Sequence, residues 1–229
     1  MCLFFLRYTY LLGGCFALSL GIALLVKGSI FGVGAWTVFH LGLTNHLPMT
    51  LGQVTLAVGV LIIILSALLG VKPRIGTLLN MTSVGIFLDL IPHYILGPEP
   101  VASLAEAVIL VVLGNIVIGF GTAWYMSADL GQGPRDSLMV ALTQRSGFPV
   151  GSVRTALELS VLVVGYFLGG PVGLGTVVSA VVVGPSVEYS LNFFRWVGEV
   201  SLLGQIINIP VKTRLRSSRS KRGEVYREG

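Results

Sequence analysis

Residues 131–151, GQGPRDSLMVALTQRSGFPVG, repeat the pattern of residues 32–52, GVGAWTVFHLGLTNHLPMTLG. Sliding the chain on itself by 99 places puts Gly32 on Gly131, Gly34 on Gly133, Leu43 on Leu142, Thr44 on Thr143 and Gly52 on Gly151. The register continues through Gly70/Gly169, Gly76-Thr77/Gly175-Thr176 and Val84-Gly85/Val183-Gly184. Upstream the offset becomes 100, pairing Gly14/Gly114, Gly21/Gly121 and Ala23/Ala123. Six of the eight glycines between positions 32 and 89 are matched, which composition alone does not produce. The chain is read as an internal duplication, so its architecture must be built from one unit used twice.

That unit belongs in a membrane. The chain is 54% hydrophobic and 11% charged, with a mean hydropathy of +0.87, where soluble domains carry about 25% charged residues. So little polar surface cannot cover a water-facing globule. Six segments are long enough to cross a bilayer: 8–26, 51–69, 75–91, 107–126, 151–168 and 174–194. The expected fold class is an all-α polytopic membrane protein of six transmembrane helices in two three-helix repeats. Repeat 1 covers 1–92 with a short helix at 34–46, and repeat 2 covers 107–196 with a short helix at 133–146. A polar linker, 93–106, joins them, and 197–229 reads as an interfacial segment followed by a basic tail. The two short helices each span roughly 20 Å, too little to cross. Each is a re-entrant half-helix or a surface-lying one.

Charge gives an orientation. With the N-terminus inside, cytoplasmic loops hold Lys72, Arg74, Arg135, Arg145 and the tail; the opposite loops hold Lys27, Glu99 and Glu106. The positive-inside rule then puts both termini in the cytoplasm. Three spans per repeat is an odd number, so the second copy enters from the other side. The expectation is an inverted-topology repeat, the plan of many secondary transporters, with the site where the repeats meet. Small residues at matched places (Gly14, Ser19 and Gly21 against Gly114, Gly119 and Gly121) mark the first and fourth spans as close-packing partners near the axis. The net charge of +5 does not point to nucleic acid, because seven of the fifteen Lys and Arg follow Asn208. Anionic lipid headgroups are the partner that such a tail implies.

The words SADLGQGPRDSL at 127–138, GFPVGSV at 147–153 and GLGT at 173–176 resemble the YczE/YyaS/YitT group of small bacterial integral membrane proteins, over about Tyr8 to Tyr189. In that group Gly-x-Gly is often followed by Pro-Trp-Asp. Here the triplet is divided between the copies, as Ala35-Trp36-Thr37 and Pro134-Arg135-Asp136. The resemblance implies an architecture and a bacterial plasma membrane, and carries no reaction with it.

Ionisable groups within or beside apolar spans are the candidate path residues, because each costs about 2.5–3.5 kcal/mol near the bilayer centre. Asp89 and Glu188 are equivalent under the shift of 99, near the ends of spans three and six. Arg154 and Glu158 share a helical face four residues apart, with neutral counterparts Thr55 and Gly59. The starts Gly32/Gly34 and Gly131/Gly133 are backbone breaks where helix N-termini would attract anions. Arg135 would reinforce the second, and Asp136 beside it would neutralise that arginine. Thr44 and Thr143 are matched polar residues at the far ends of the short helices, whereas Trp36, His40 and His46 are expected at an outer interface.

Three scattered histidines and two cysteines give no metal-ligand spacing. No cofactor is expected, and no nucleophile elbow or phosphate loop points to an enzyme. Two readings stay open: a small-solute transporter with its path at the repeat interface, or a non-transporting binding or accessory module. The latter would be a substrate-capture subunit or an assembly partner of another membrane protein or of a second copy.

Overall fold

The computed structural model describes residues 2–97 and 101–200, and every regular element among them is helical. The basic tail and most of the expected interfacial segment lie outside the described residues. Eight α-helices follow in order: α1 Cys2–Lys27, α2 Ala35–Thr44, α3 Leu51–Leu68, α4 Ile75–Ile91, α5 Leu104–Ser127, α6 Pro134–Ser146, α7 Val150–Phe167 and α8 Leu174–Val200. Six of them are long and apolar enough to cross a membrane, and α2 and α6 are the two that are not. Their outward side chains are large and apolar, as at Leu61, Leu68, Val177 and Val181, which is the surface that lipid requires.

The boundaries differ from the sequence reading in two places. Pro92 does not end the third apolar stretch: a single wide turn, Pro92–Leu96, carries it to Gly97 at φ 67°. There Lys27 donates its ammonium proton to the Leu96 carbonyl at 2.6 Å. The linker is shorter than expected, because Ser103 caps α5 by accepting from the Glu106 N–H, while Glu106 reaches back to the Ala102 N–H. At the other end α8 runs on to Val200, through the start of the stretch expected to lie along the interface.

The duplication extends to backbone hydrogen bonds. Gly70 N–H donates to Ala67 and Val71 to Ser66; 99 places on, Gly169 donates to Tyr166 and Gly170 to Gly165. Both helix ends turn on a glycine with positive φ, 102° at Gly70 and 77° at Gly169, the conformation a side chain resists. The N-cap backbones of the short helices also match, with φ −64° and ψ 154° at Gly34 against −62° and 163° at Gly133.

Packing joins the copies. α1 lies along α5 in the most extensive helix contact of the described residues. Gly14 abuts Tyr125, Gly21 abuts Gly114, and Gly28 abuts Ala107, so the two equivalent helices run antiparallel. A carbon placed on Gly21 would fall 2.7 Å from the Gly114 carbonyl oxygen and 2.7 Å from the Ile118 nitrogen. Backbones this close gain dispersion contacts that any larger residue forbids. Gly119 turns instead to Ser186 on α8. The short helices cross over: α2 packs on α7 of the other copy, and α6 on α3. Gly42 and Gly165 permit the first contact, and their counterparts Ala141 and Ser66 are likewise small and buried.

One pair breaks the symmetry. α3 packs along α4, with Gly52 against the Gly85 carbonyl and Met81 filling the notch at Gly59. The equivalent α7 does not pack along α8, and Gly151 and Gly184 have open space beside them. Two residue changes accompany the gap. Glu158 stands where Gly59 admits Met81, and Pro185 interrupts α8 where α4 has Ile86.

Candidate functional site

Where α2 and α6 begin, their first turns meet. The Arg135 guanidinium lies over the Trp36 ring, 4.8 Å from its centroid, a cation–π stack. These two residues are equivalents under the shift of 99. The stack therefore joins one copy to the other at matched positions.

The sequence leaves both helix starts open. Gly34 and Gly133 occupy the N-caps and have no side chain to offer the first-turn N–H groups. The first backbone bonds come only at Val38 N–H to Gly34 and Ser137 N–H to Gly133. The amides of Ala35, Trp36 and Thr37, and of Arg135 and Asp136, are thus left without intrahelical partners. Pro134 takes the first position of α6, where its missing N–H costs nothing.

Asp136 does not pair with Arg135 as the sequence suggested. It accepts instead from the Tyr125 hydroxyl on α5, at 3.0 Å. Protein crowds both residues, and each still keeps some exposed surface. Burial raises the Asp136 carboxyl, against the opposing pull of Tyr125, Arg154 and Arg135. Burial also brings the Arg135 guanidinium down to about 10, which leaves it protonated at neutral pH. Arg154 and Glu158 of α7 form the expected ion pair, Nε to Oε1 at 3.1 Å, and their charges are felt at Asp136 and Arg135.

His40 is not on an outer surface, and Trp36 is only partly exposed. His40 is 3% exposed, its ring centroid 6.3 Å from that of Trp36. Its Nδ1 lies 3.2 Å from the Thr55 hydroxyl on α3, and its Nε2 is buried with no partner. Burial, then the charge of Arg135, depress its pKa, so the ring is neutral. Beneath the N-caps lie two further bonds at equivalent places. Asn80 donates to Cys15 Sγ at 3.4 Å near Gly133, and Asn115 donates to Ser179 Oγ at 3.0 Å near Gly34. The Asn115 carbonyl oxygen is buried and unpartnered.

The other sequence candidates lie elsewhere. Asp89 caps α3 by accepting from Thr50 Oγ1 at 2.7 Å and the Gly52 N–H at 2.9 Å. Its counterpart Glu188 is exposed on α8. Thr44 uses its hydroxyl on the Leu41 carbonyl, and the Thr143 hydroxyl oxygen is buried without a partner toward the far end of α6. Gly32 and Gly131, at φ 102° and 145°, turn the chain into the short helices and press against Gly173 and Thr77. Replacing Asp89 with Ala is expected to cost about 1–3 kcal/mol, a drop of about 2–4 °C in melting midpoint per kcal/mol for a chain this size. Glu188→Ala is expected to leave the midpoint unchanged; differential scanning fluorimetry of both variants checks the pair.

Comparison with known proteins agrees with the helical membrane architecture. A model described as a family of unknown function (DUF6198) matches residues 5–192. The chain is similar to the uncharacterized membrane protein YczE of Bacillus subtilis, 37% identical over 187 residues, covering 81% of this chain and 86% of that protein. An uncharacterized protein of Haemophilus influenzae is 34% identical over 175 residues, 76% of this chain and 78% of that one. YyaS of Bacillus subtilis is 27% identical over 175 residues, 76% and 87% of the two chains. No solved structure matches.

Proposed function

We propose, from the premise that this chain belongs to the family of unknown function DUF6198, that it is a small-solute permease of the bacterial plasma membrane. The observation that carries the reading is the partly exposed charged cluster where the first turns of two non-spanning helices, one from each copy, touch through Arg135 and Trp36. Isolated charge at membrane depth is costly and marks a path more often than a scaffold. Broken helices whose N-termini converge on the repeat interface are how many secondary transporters hold solute. The antiparallel α1/α5 crossing supports an inverted repeat, since equivalent helices that run antiparallel enter from opposite faces. Lys72, Arg74 and Arg145 still favour cytoplasmic termini once Arg135 is taken out of the loop count. In this arrangement α2 and α6 dip in from opposite sides. A permease moves its solute without making or breaking bonds in it.

The packing difference between the copies supplies a mechanism. α3 closes on α4 while α7 stands off α8, so one copy is shut and the other open. Exchanging the two conformations would turn the cluster from one face of the membrane to the other. The test is flux of labelled small solutes into vesicles holding the purified full-length chain. Saturable flux that falls at least tenfold in Trp36→Ala and in Glu158→Gln is the expected result. No flux of any solute, together with a stable co-purifying membrane partner, would favour the accessory-module reading instead.

A further inference from the structure

We infer that the solute is a small monocarboxylate, seated on the Arg135 guanidinium between the first turns of α2 and α6; this rests on the permease reading only for its movement, not for its binding. The guanidinium has no hydrogen-bond acceptor and no carboxylate within 4.0 Å among the described residues. Its nearest acid, Asp136, is turned to Tyr125, and the next, Glu158, is held by Arg154. Trp36 lies against the guanidinium, its ring centroid 4.8 Å from the central carbon, and an indole ring offers the N–H edges no acceptor oxygen. Those edges match a carboxylate's two oxygens in a bidentate pair. The first turns of two helices, of 10 and 13 residues, carry uncapped amides beside this stack. Each brings roughly half a positive charge.

A second observation is independent of the helix ends. His40, 3% exposed, has an unpartnered Nε2, and its ring centroid lies 6.3 Å from that of Trp36, the ring that carries the Arg135 guanidinium. Its other nitrogen faces Thr55. When Thr55 donates to Nδ1, the hydrogen sits on Nε2, and a neutral imidazole offers the anion one more donor.

Charge balance selects a monoanion. Arg135, Asp136, Arg154 and Glu158 sum to zero when all are ionised. A monoanion leaves one negative charge, which a single proton on Asp136 removes; a dianion leaves two. The groups acting on Asp136 are the Tyr125 hydroxyl of α5, Arg135 of α6 and Arg154 of α7; Glu158 of α7 acts on Arg135, and His40 of α2 is neutral beyond it. Burial already raises the Asp136 carboxyl, so one proton is expected to enter with the anion, and affinity is expected to rise as pH falls.

The experiment titrates the purified full-length chain with sodium propionate, benzoate, phosphate and chloride at constant ionic strength, reading melting midpoint and tryptophan fluorescence at pH 5.5 and 8. Saturable stabilisation by a monocarboxylate, stronger at pH 5.5, is expected. Arg135→Gln and Arg135→Lys are expected to weaken it at least tenfold, Asp136→Asn to flatten its pH dependence, and Arg145→Gln, at the exposed end of α6, to leave it unchanged. Lysine keeps the charge and loses the planar fork, so it also stands in should the glutamine variant fail to fold. Unchanged binding in either folded Arg135 variant, phosphate or chloride binding as tightly as the carboxylates, or no saturable binding of any anion overturns the proposal. Anion binding without flux in vesicles would overturn the permease reading and leave this site standing. Flux of a neutral or cationic solute with no anion binding would do the reverse.

Discussion

Gly21→Leu is expected to prevent the protein from assembling. The first side-chain carbon alone would fall 2.7 Å from the Gly114 carbonyl oxygen and 2.7 Å from the Ile118 backbone nitrogen. Neither is the free end of a flexible chain, so relief requires α1 and α5 to separate. That joint is the main seam between the copies. Overpacking usually costs about 1–3 kcal/mol when side chains can yield. Here backbone must yield, and on the order of 3 kcal/mol or more is expected, a large share of the 5–15 kcal/mol typical of a domain. Gly184→Leu makes the contrast, because nothing lies within 4 Å of its added carbon. Gel filtration in mild detergent should show loss of the monodisperse peak for the first and an unchanged peak for the second.

Tying α3 to α4 should stop transport outright. In a background with Cys2 and Cys15 replaced by Ser, Leu56→Cys with Gly85→Cys puts two thiols on carbons 3.3 Å apart. That lies close to the 3.5–4.5 Å found across disulfides. If α3 must leave α4 for the cluster to face the other way, the oxidised protein should lose at least tenfold in uptake. Reduction should restore it. Full uptake with the disulfide intact would show that this pair of helices stays together through the cycle.

Much of the frame was legible in the sequence, since apolar length and glycine register are local properties. The shift of 99 pairs turns whose backbone bonds recur, and small residues mark the α1/α5 crossing. The site was legible only in part. Arg154 and Glu158 are one turn apart on one helix, so their pairing needs no tertiary knowledge. Aromatic residues collect at interfaces, which would put Trp36 and His40 at a surface, yet the crossing of α2 onto α7 buries that turn. The register holds the missing signal: Trp36 and Arg135 are counterparts, and counterparts near a two-fold axis touch. Asp89 has the sequence marks of a path charge, but its partners Thr50 and Gly52 lie nearly forty residues upstream. Only the antiparallel packing of α3 on α4 shows that it is a cap. Tyr125, the partner that turns Asp136 away from Arg135, is an ordinary aromatic in an apolar run.

In the permease cycle proposed above, the two copies would trade conformations about the Arg135 cluster. Thr155→Cys with Gly184→Cys, the counterparts of Leu56 and Gly85, tests this most directly in native membranes. The structure holds α7 away from α8, so a population trapped as described would stay unlinked. Exchange instead brings α7 onto α8 as α3 sits on α4, with Glu188 positioned to accept from the Gly151 N–H as Asp89 does from Gly52. Cross-linking that proceeds in the membrane and is abolished when the Leu56/Gly85 pair is already tied is the result expected. A Thr155/Gly184 pair that never links, or links as freely with the first pair tied, would mean that Glu158 and Pro185 fix the difference between the copies, and the exchange does not occur.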